Sequence, residues 1–255
     1  MPKDKIPNIY VFCDRWCERC AFGSRCEAYA ANEAVRKQDN LATDDETNRL
    51  FWHRIHKQLA EVISAIEREA KEHGVDLDVF EGLSKGKKFD LFQHKAVNNE
   101  VLKAGRKYED AVDDWLDALA DKGILRMMEF MPGSVFRVSD ESLSEEKKNE
   151  LNALIEVVMR YQLQIYLKIS RLYYTQGREQ EAEEQTPDQA SDGAAKMVLE
   201  LINRSLVAWW YLKSDFAGFE KETRSLIFLL MRIKKRIEKE FPLAETFVRP
   251  GFDEE

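Results

Sequence analysis

Apolar residues recur three and four positions apart in five stretches of this chain, the period of an α-helix with one buried face. From about Asp45 to His73 the stripe is Trp52, Ile55, Leu59, Val62 and Ile66, and Gly74 supplies a stop. From about Asn98 to Asp121 it is Val101, Tyr108, Val112, Trp115 and Leu119, opposite a solvated face of Asp110, Asp113, Asp114 and Asp117. Ser142-Leu143-Ser144-Glu145 fits a capping box and predicts a third helix reaching Gln176, on the order of 50 Å long at 1.5 Å per residue. Leu151, Leu154, Ile155, Val158, Gln162, Ile165, Ile169 and Leu172 fill one face of it, and Met159, Leu163, Tyr166 and Tyr173 widen the apolar arc. A helix apolar on most sides belongs at the centre of a bundle. A fourth spans about Ala195–Lys213, with Val198, Ile202, Leu206, Trp209 and Trp210 inward, and a fifth about Phe219–Glu240, with Phe219, Leu226, Leu230, Ile233 and Ile237 inward.

The breaks in this pattern set the organisation. Ile9-Tyr10-Val11-Phe12 reads as a short strand or extended arm, residues 31–44 as a loop or short helix, and residues 82–90 as a basic loop. Pro132-Gly133 predicts a turn with a short strand on either side. Residues 177–194 are polar, acidic and poor in aliphatics, and read as a flexible linker within the bundle. Residues 242–255 read as an irregular tail. The fold expected is all-α: a bundle of four to five long helices over residues 45–241, with a small Cys-rich metal-binding segment, residues 1–30, packed on one end.

Composition sharpens this. The 255 residues are 44% hydrophobic, enough for a sizeable core, and 11 Gly and 6 Pro are too few for the turns of an all-β protein. The net charge of −8 argues against general nucleic-acid binding through surface charge. The N-terminus lacks the apolar core of a signal peptide, and the longest uncharged runs, Ile6–Cys13 and Ser205–Leu212, are far short of a membrane span. A cytoplasmic protein with no membrane role is the expectation. Arg232, Lys234, Lys235, Arg236 and Lys239 form a basic face on the last helix, read as solvated; Lys85, Lys87 and Lys88 are candidates to extend it. Trp209-Trp210 and Tyr173-Tyr174 read as core and interface aromatics. No Walker loop, dinucleotide fingerprint or nucleophile elbow occurs.

The chemistry concentrates in four cysteines, Cys13, Cys17, Cys20 and Cys26, spaced C-x3-C-x2-C-x5-C. In a reducing cytosol such a cluster is a poor candidate for disulfides and a good one for a metal. Zinc sites usually use two cysteine knuckles with a longer spacer, whereas all four thiols here lie in one winding suited to wrapping a larger iron–sulfur cube. A four-thiolate [4Fe–4S] cluster carries a charge of about −2, which Arg15, Arg19 and Arg25, lying between the cysteines, would offset. Trp16 and Phe22 would exclude water. The cofactor expected is a [4Fe–4S] cluster, with zinc as the alternative.

The run Cys17-x2-Cys20-x5-Cys26, with Phe22 two residues after Cys20 and Tyr29 just beyond, resembles the cluster loop of endonuclease III-type DNA glycosylases, and is similar to the C-terminal cluster of iron–sulfur nucleases. The resemblance implies a [4Fe–4S] cluster held by Cys17, Cys20 and Cys26, with Cys13 as the fourth ligand. It covers about 17 residues and implies a cofactor, not an activity. The first gap is shorter than in the glycosylases, and Ala21 stands where they commonly have Pro. Neither the glycosylase Gly-rich hairpin nor a nuclease Asp…Asp-x-Lys constellation accompanies it. Cys13-x3-Cys17-x2-Cys20 also has radical SAM spacing, but Arg19 occupies the position that family usually gives to an aromatic residue. Cys26 is available to close the cluster, and the helical body lacks the strands of that family's barrel.

A second metal is a further candidate. Glu61, Glu156 and Glu200 each sit inside the same apolar helical pattern, and His53 and His56 lie one turn apart on the helix of Glu61. Carboxylate-bridged bundles hold two metals with such residues, but use Glu-x-x-His pairs that this chain lacks. Glu156–Arg160 and Glu200–Arg204 read more simply as i,i+4 ion pairs. Three functions follow: a redox, sensing or structural iron–sulfur protein, an interaction protein with structural zinc, or a carboxylate-bridged metalloenzyme. Any partner would be a redox or protein partner.

Overall fold

A computed structural model of the chain describes residues 5–31, 44–80, 99–130, 133–181, 190–216 and 218–253. Among these described residues are six α-helices: α1 (Glu27–Ala31), α2 (Asp45–Glu72), α3 (Glu100–Asp121), α4 (Glu145–Glu181), α5 (Ala190–Asp215) and α6 (Glu220–Glu240). The expected all-α bundle is what forms, with five long helices. Its only described sheet is a hairpin of β1 (Leu125–Phe130) and β2 (Gly133–Val138), antiparallel and registered Leu125 opposite Val138.

The helices begin where side chains satisfy their free N-terminal amides. Asp44 accepts from Glu46 and Thr47 ahead of α2, and Asn99 accepts from Val101 and Leu102 ahead of α3. At α4 the cap is Ser144, whose hydroxyl accepts from the Lys147 amide at 3.2 Å. Ser142, the expected cap, instead hydrogen-bonds Asp140, so the helix starts later than its capping box suggested. At its far end α4 runs on to Glu181, and α5 starts at Ala190, so helix extends into both ends of the stretch read as a linker. Gln, Glu and Arg are good helix formers, and an already packed helix propagates through them readily. Residues 182–189, the basic loop at 82–90 and His94 lie outside the described residues.

The core sits where α5 packs on α4, α6 and α2, with α3 closing the other side against α4 and α6. Ile155, Val158, Ile165, Ile169 and Leu172 of α4 and Val198, Ile202, Leu206 and Trp209 of α5 are fully buried. Trp209 donates to the Tyr108 hydroxyl at 2.9 Å inside that core, and Trp115 donates to Thr223 at 3.1 Å. No helix among the described residues is long and apolar enough to cross a membrane.

The Cys-rich segment lies across α2, α4 and α5. Ile9–Phe12, expected as a strand or arm, is a 3₁₀ turn. Phe12 packs on Phe247 at 5.0 Å, and both rings press on Gly193, where a Cβ would meet them. The tail closes over the same segment. Gly251, at φ +77°, lies so near Ile6 that a Cβ there would stand 2.6 Å from the Ile6 side chain.

Candidate metal centre and the pocket beside it

Each cysteine is placed by a tight local turn. Cys13 follows the Ile9–Phe12 turn. Cys17 opens a 3₁₀ turn that Cys20 closes, its amide donating to the Cys17 carbonyl at 3.3 Å. Cys26 closes the next turn in the same way onto Gly23 at 3.2 Å. All four are half-buried, none is in a disulfide, and all four line one pocket with Trp16, Tyr29 and Phe252. Burial pushes the Cys13 thiol up and the Cys20 thiol up to about 12. The Phe22 amide donates to the Cys20 sulfur at 3.4 Å.

Among the described residues, no three His, Cys, Asp or Glu side chains are grouped closely enough to hold a metal ion. A single zinc requires four sulfurs within about 2.3 Å of one centre, whereas a cube distributes its irons one to a thiolate. Four free cysteine thiols on one pocket are the donor chemistry that either group uses.

The loop's carbonyls are drawn off by donors from the bundle. Lys168 takes the Cys13 carbonyl at 3.1 Å, Arg160 takes Arg15 at 2.6 Å, and the Trp52 indole takes Arg19 at 2.6 Å. The Asn48 amide takes both Glu18 and Cys20, at 3.2 and 3.1 Å. Arg15 adopts the left-handed region at φ +57°, which costs a non-glycine residue about 1 kcal/mol or more and persists where neighbours over-determine it. These donors fix the loop's backbone on the bundle, while the Tyr10 carbonyl accepts from the Cys13 thiol at 3.3 Å.

One buried carboxylate locks this loop to the helices. Asp14 accepts from its own loop at the Trp16 amide, 2.9 Å, from the Tyr161 hydroxyl, 2.6 Å, and from Arg204, 2.7 Å. Burial alone would raise the Asp14 carboxyl. The Arg204 guanidinium and the Tyr161 and Trp16 hydrogen bonds outweigh it and hold the carboxyl below its usual range. Burial, with the Asp14 charge beside it, drives the Tyr161 phenol well above its ordinary value. Trp16 is buried edge-on against Trp52 and Tyr161, and Arg204 lies 4.0 Å over the Trp52 ring.

The remaining candidates distribute differently from expectation. Of the arginines between the cysteines, Arg15 lines the cysteine pocket, but Arg19 turns to Glu156 at 2.9 Å and packs on the Phe51 ring. Glu156 is thereby taken from its expected partner Arg160, which serves the Arg15 carbonyl. Phe22 packs on Phe252 over the neighbouring pocket. Glu61 is exposed, and Glu61, Glu156 and Glu200 do not converge. Glu200 is buried among His56 at 3.5 Å, Arg249 at 3.7 Å and Arg204 at 4.0 Å. His53 and His56 line a second pocket, of about 270 Å³, that shares Cys13, Asp14, Cys20 and Phe252 with the first. The basic face of α6 is largely committed to neighbours: Arg232 to the Asp76 carbonyl, Lys234 to Glu238, Lys235 to Glu67, and Arg236 to Glu100 and Glu240.

Asp14, Trp52, Tyr161, Arg204, Arg249 and Phe252 form the site's frame, and the sequence reading assigned none of them to it. The cues available were thin: an acid next to Cys13, and an Arg in a tail otherwise read as irregular. No protein-family model matches the chain, and no significant match was found among curated proteins or solved structures.

Proposed function

We propose that the chain is a helical iron–sulfur protein in which Cys13, Cys17, Cys20 and Cys26 hold a [4Fe–4S] cluster with a redox or sensing role. The reading rests on one observation: four free, half-buried cysteines, spaced C-x3-C-x2-C-x5-C, line a single pocket. Such a cluster supplies one-electron exchange at a potential set by its surroundings. The chain's own residues set those surroundings. Trp16 and Phe252 line the pocket with aromatic surface, the Phe22 amide donates to a cysteine sulfur, and Lys168, Arg160, Asn48 and Trp52 hydrogen-bond the loop carbonyls. The second pocket, bordered by Cys13 and Cys20, offers a partner molecule a place against the cluster and favours a reactive role over a purely structural staple.

Anaerobic purification followed by iron, sulfide and zinc analysis tests this. The expected protein is brown, absorbs broadly near 400 nm and carries about four irons per chain. Colourless protein with one zinc per chain would overturn the reading in favour of a structural zinc site.

A further inference from the structure

From the second pocket we infer a binding site for a small organic anion, a carboxylate or phosphate ester, seated beside the cysteines. The pocket has two unlike sides. One is apolar, made by Phe12, Phe22, Phe252, Met197 and the Trp52 ring. The other is cationic, carrying Arg19, Arg49, Arg204 and Arg249 with His53 and His56. Among the described residues its only lining carboxylate is Asp14, which is committed to Tyr161 and Arg204. The carboxylates that balance the other arginines, Glu156, Glu46 and Asp253, are not in its lining. Four arginines and two histidines therefore line the cavity with one committed carboxylate, an excess of cationic side chains that attracts an anion from solvent.

Two donors bordering the cavity lack an oxygen partner. Arg204 Nε is buried and makes no hydrogen bond, and Glu200 Oε2, 4.0 Å away, is likewise buried without one, so the two are too far apart to satisfy each other directly. Arg249, its side chain 7% exposed, points Nη1 at nothing better than the Met197 sulfur at 3.9 Å. Buried charged donors left this way call for a missing acceptor. The volume of about 270 Å³ exceeds what a lone ion needs and, with the aromatic side, fits an anion that carries an apolar body. The pocket's own side chains carry this inference, whatever the cysteines hold.

Calorimetric titration of the 255-residue chain with phenyl phosphate and with benzoate tests it, with phenol and benzylamine as uncharged and cationic counterparts. One-to-one binding of either anion is expected, with neither counterpart binding. The stronger anion identifies the ligand class. Arg249→Gln should weaken binding at least tenfold. Because Arg249 also anchors the tail, His53→Ala and Arg49→Gln, on the exposed side of α2, serve as second variants and should each weaken it several-fold. Lys235→Ala, remote on α6, should change nothing. No saturable heat with either anion, or equal binding of phenol, would overturn the inference, and so would affinity unchanged in all three pocket variants. It would mean that the arginines serve only to balance charge at the cysteines. The same sample's metal content separates the two proposals: anion binding without iron would sink only the cluster, and iron without anion binding only this site.

Discussion

Asp14→Asn is the substitution that most directly probes how the cysteine loop is held. It removes a charge while nearly keeping the shape. The Asp14 and Arg204 side chains are 14% and 11% exposed and 2.7 Å apart, and the Tyr161 hydroxyl donates to the same carboxylate oxygen at 2.6 Å. Removing one member of a buried, hydrogen-bonded ion pair costs about 3–5 kcal/mol, because the surviving charge is left uncompensated. The asparagine carbonyl can still accept one bond, and Glu200 lies 4.0 Å from Arg204, so the lower end, about 3 kcal/mol, is the expectation. For a chain of this size that lowers Tm by roughly 6–12 °C. Urea unfolding of wild type, Asp14→Asn, Tyr161→Phe and the double variant would measure it. Tyr161→Phe alone should cost about 1–3 kcal/mol, and the double variant less than the sum, since both remove one network.

The pH dependence carries an independent sign. The Asp14 carboxyl is held below its ordinary value in the folded protein, so its stabilisation is fully present above an unfolded value of about 3.9. It is lost as pH falls through the lower folded value. Asp14→Asn should therefore be less stable at pH 7 and show a shallower acid loss than wild type. A difference below about 0.5 kcal/mol at pH 7, with parallel acid profiles, would refute the view that this ion pair locks the loop, since that is the scale of an ordinary surface change.

Three further substitutions read other parts of the same frame. Gly251→Ala places a Cβ at φ +77° and 2.6 Å from Ile6; a loss of about 1–3 kcal/mol in thermal unfolding is expected, and an unchanged Tm would show that the tail is not fixed on the N-terminal segment. Tyr108→Phe strands the buried Trp209 indole N–H, which should cost about 1–3 kcal/mol in urea unfolding, while a neutral result would mean the indole finds another acceptor. Burial lowers the His56 pKa against the pull of Glu200, with Arg204 and Arg249 reinforcing the shift and Asp253 opposing it. Its contribution to stability is full above about pH 6.5 and falls as pH drops through the lower folded value. An NMR titration should give a midpoint below about 6.5 that moves upward when Arg249 is replaced by Gln; a midpoint above it would reverse the sign.

The helices were legible because burial of a helix face is written locally, in residues three and four apart. Trp52, Ile55, Val62 and Ile66, or Val198, Ile202, Leu206 and Trp209, need no knowledge of their partners to be read as a stripe. The shared pocket of the four cysteines was legible for the same reason, since 14 residues of winding leave the thiols few places to go. Where propensity decides rather than pattern, the reading stopped short. The polar segments at either end of residues 182–189 look like linker by composition, yet 177–181 and 190–194 continue the helices they adjoin.

What surrounds the cysteines was hidden because it is assembled from pairs far apart in sequence. Asp14 meets Tyr161 and Arg204 across 147 and 190 positions, and no local period links them. The nearest-neighbour assumption also pointed the wrong way. Glu156 and Arg160 are spaced to satisfy each other, but α4 carries that face under the loop, so Glu156 takes Arg19 and Arg160 takes the Arg15 carbonyl. An exposed i,i+4 pair is worth only a few tenths of a kcal/mol, too little to hold either side chain against a tertiary partner. In the tail the local pair does form: Arg249 binds Asp253, four positions on, at 2.6 Å, and Glu200 of α5 at 3.7 Å adds the long-range contact that places it at the pocket beside the cysteines.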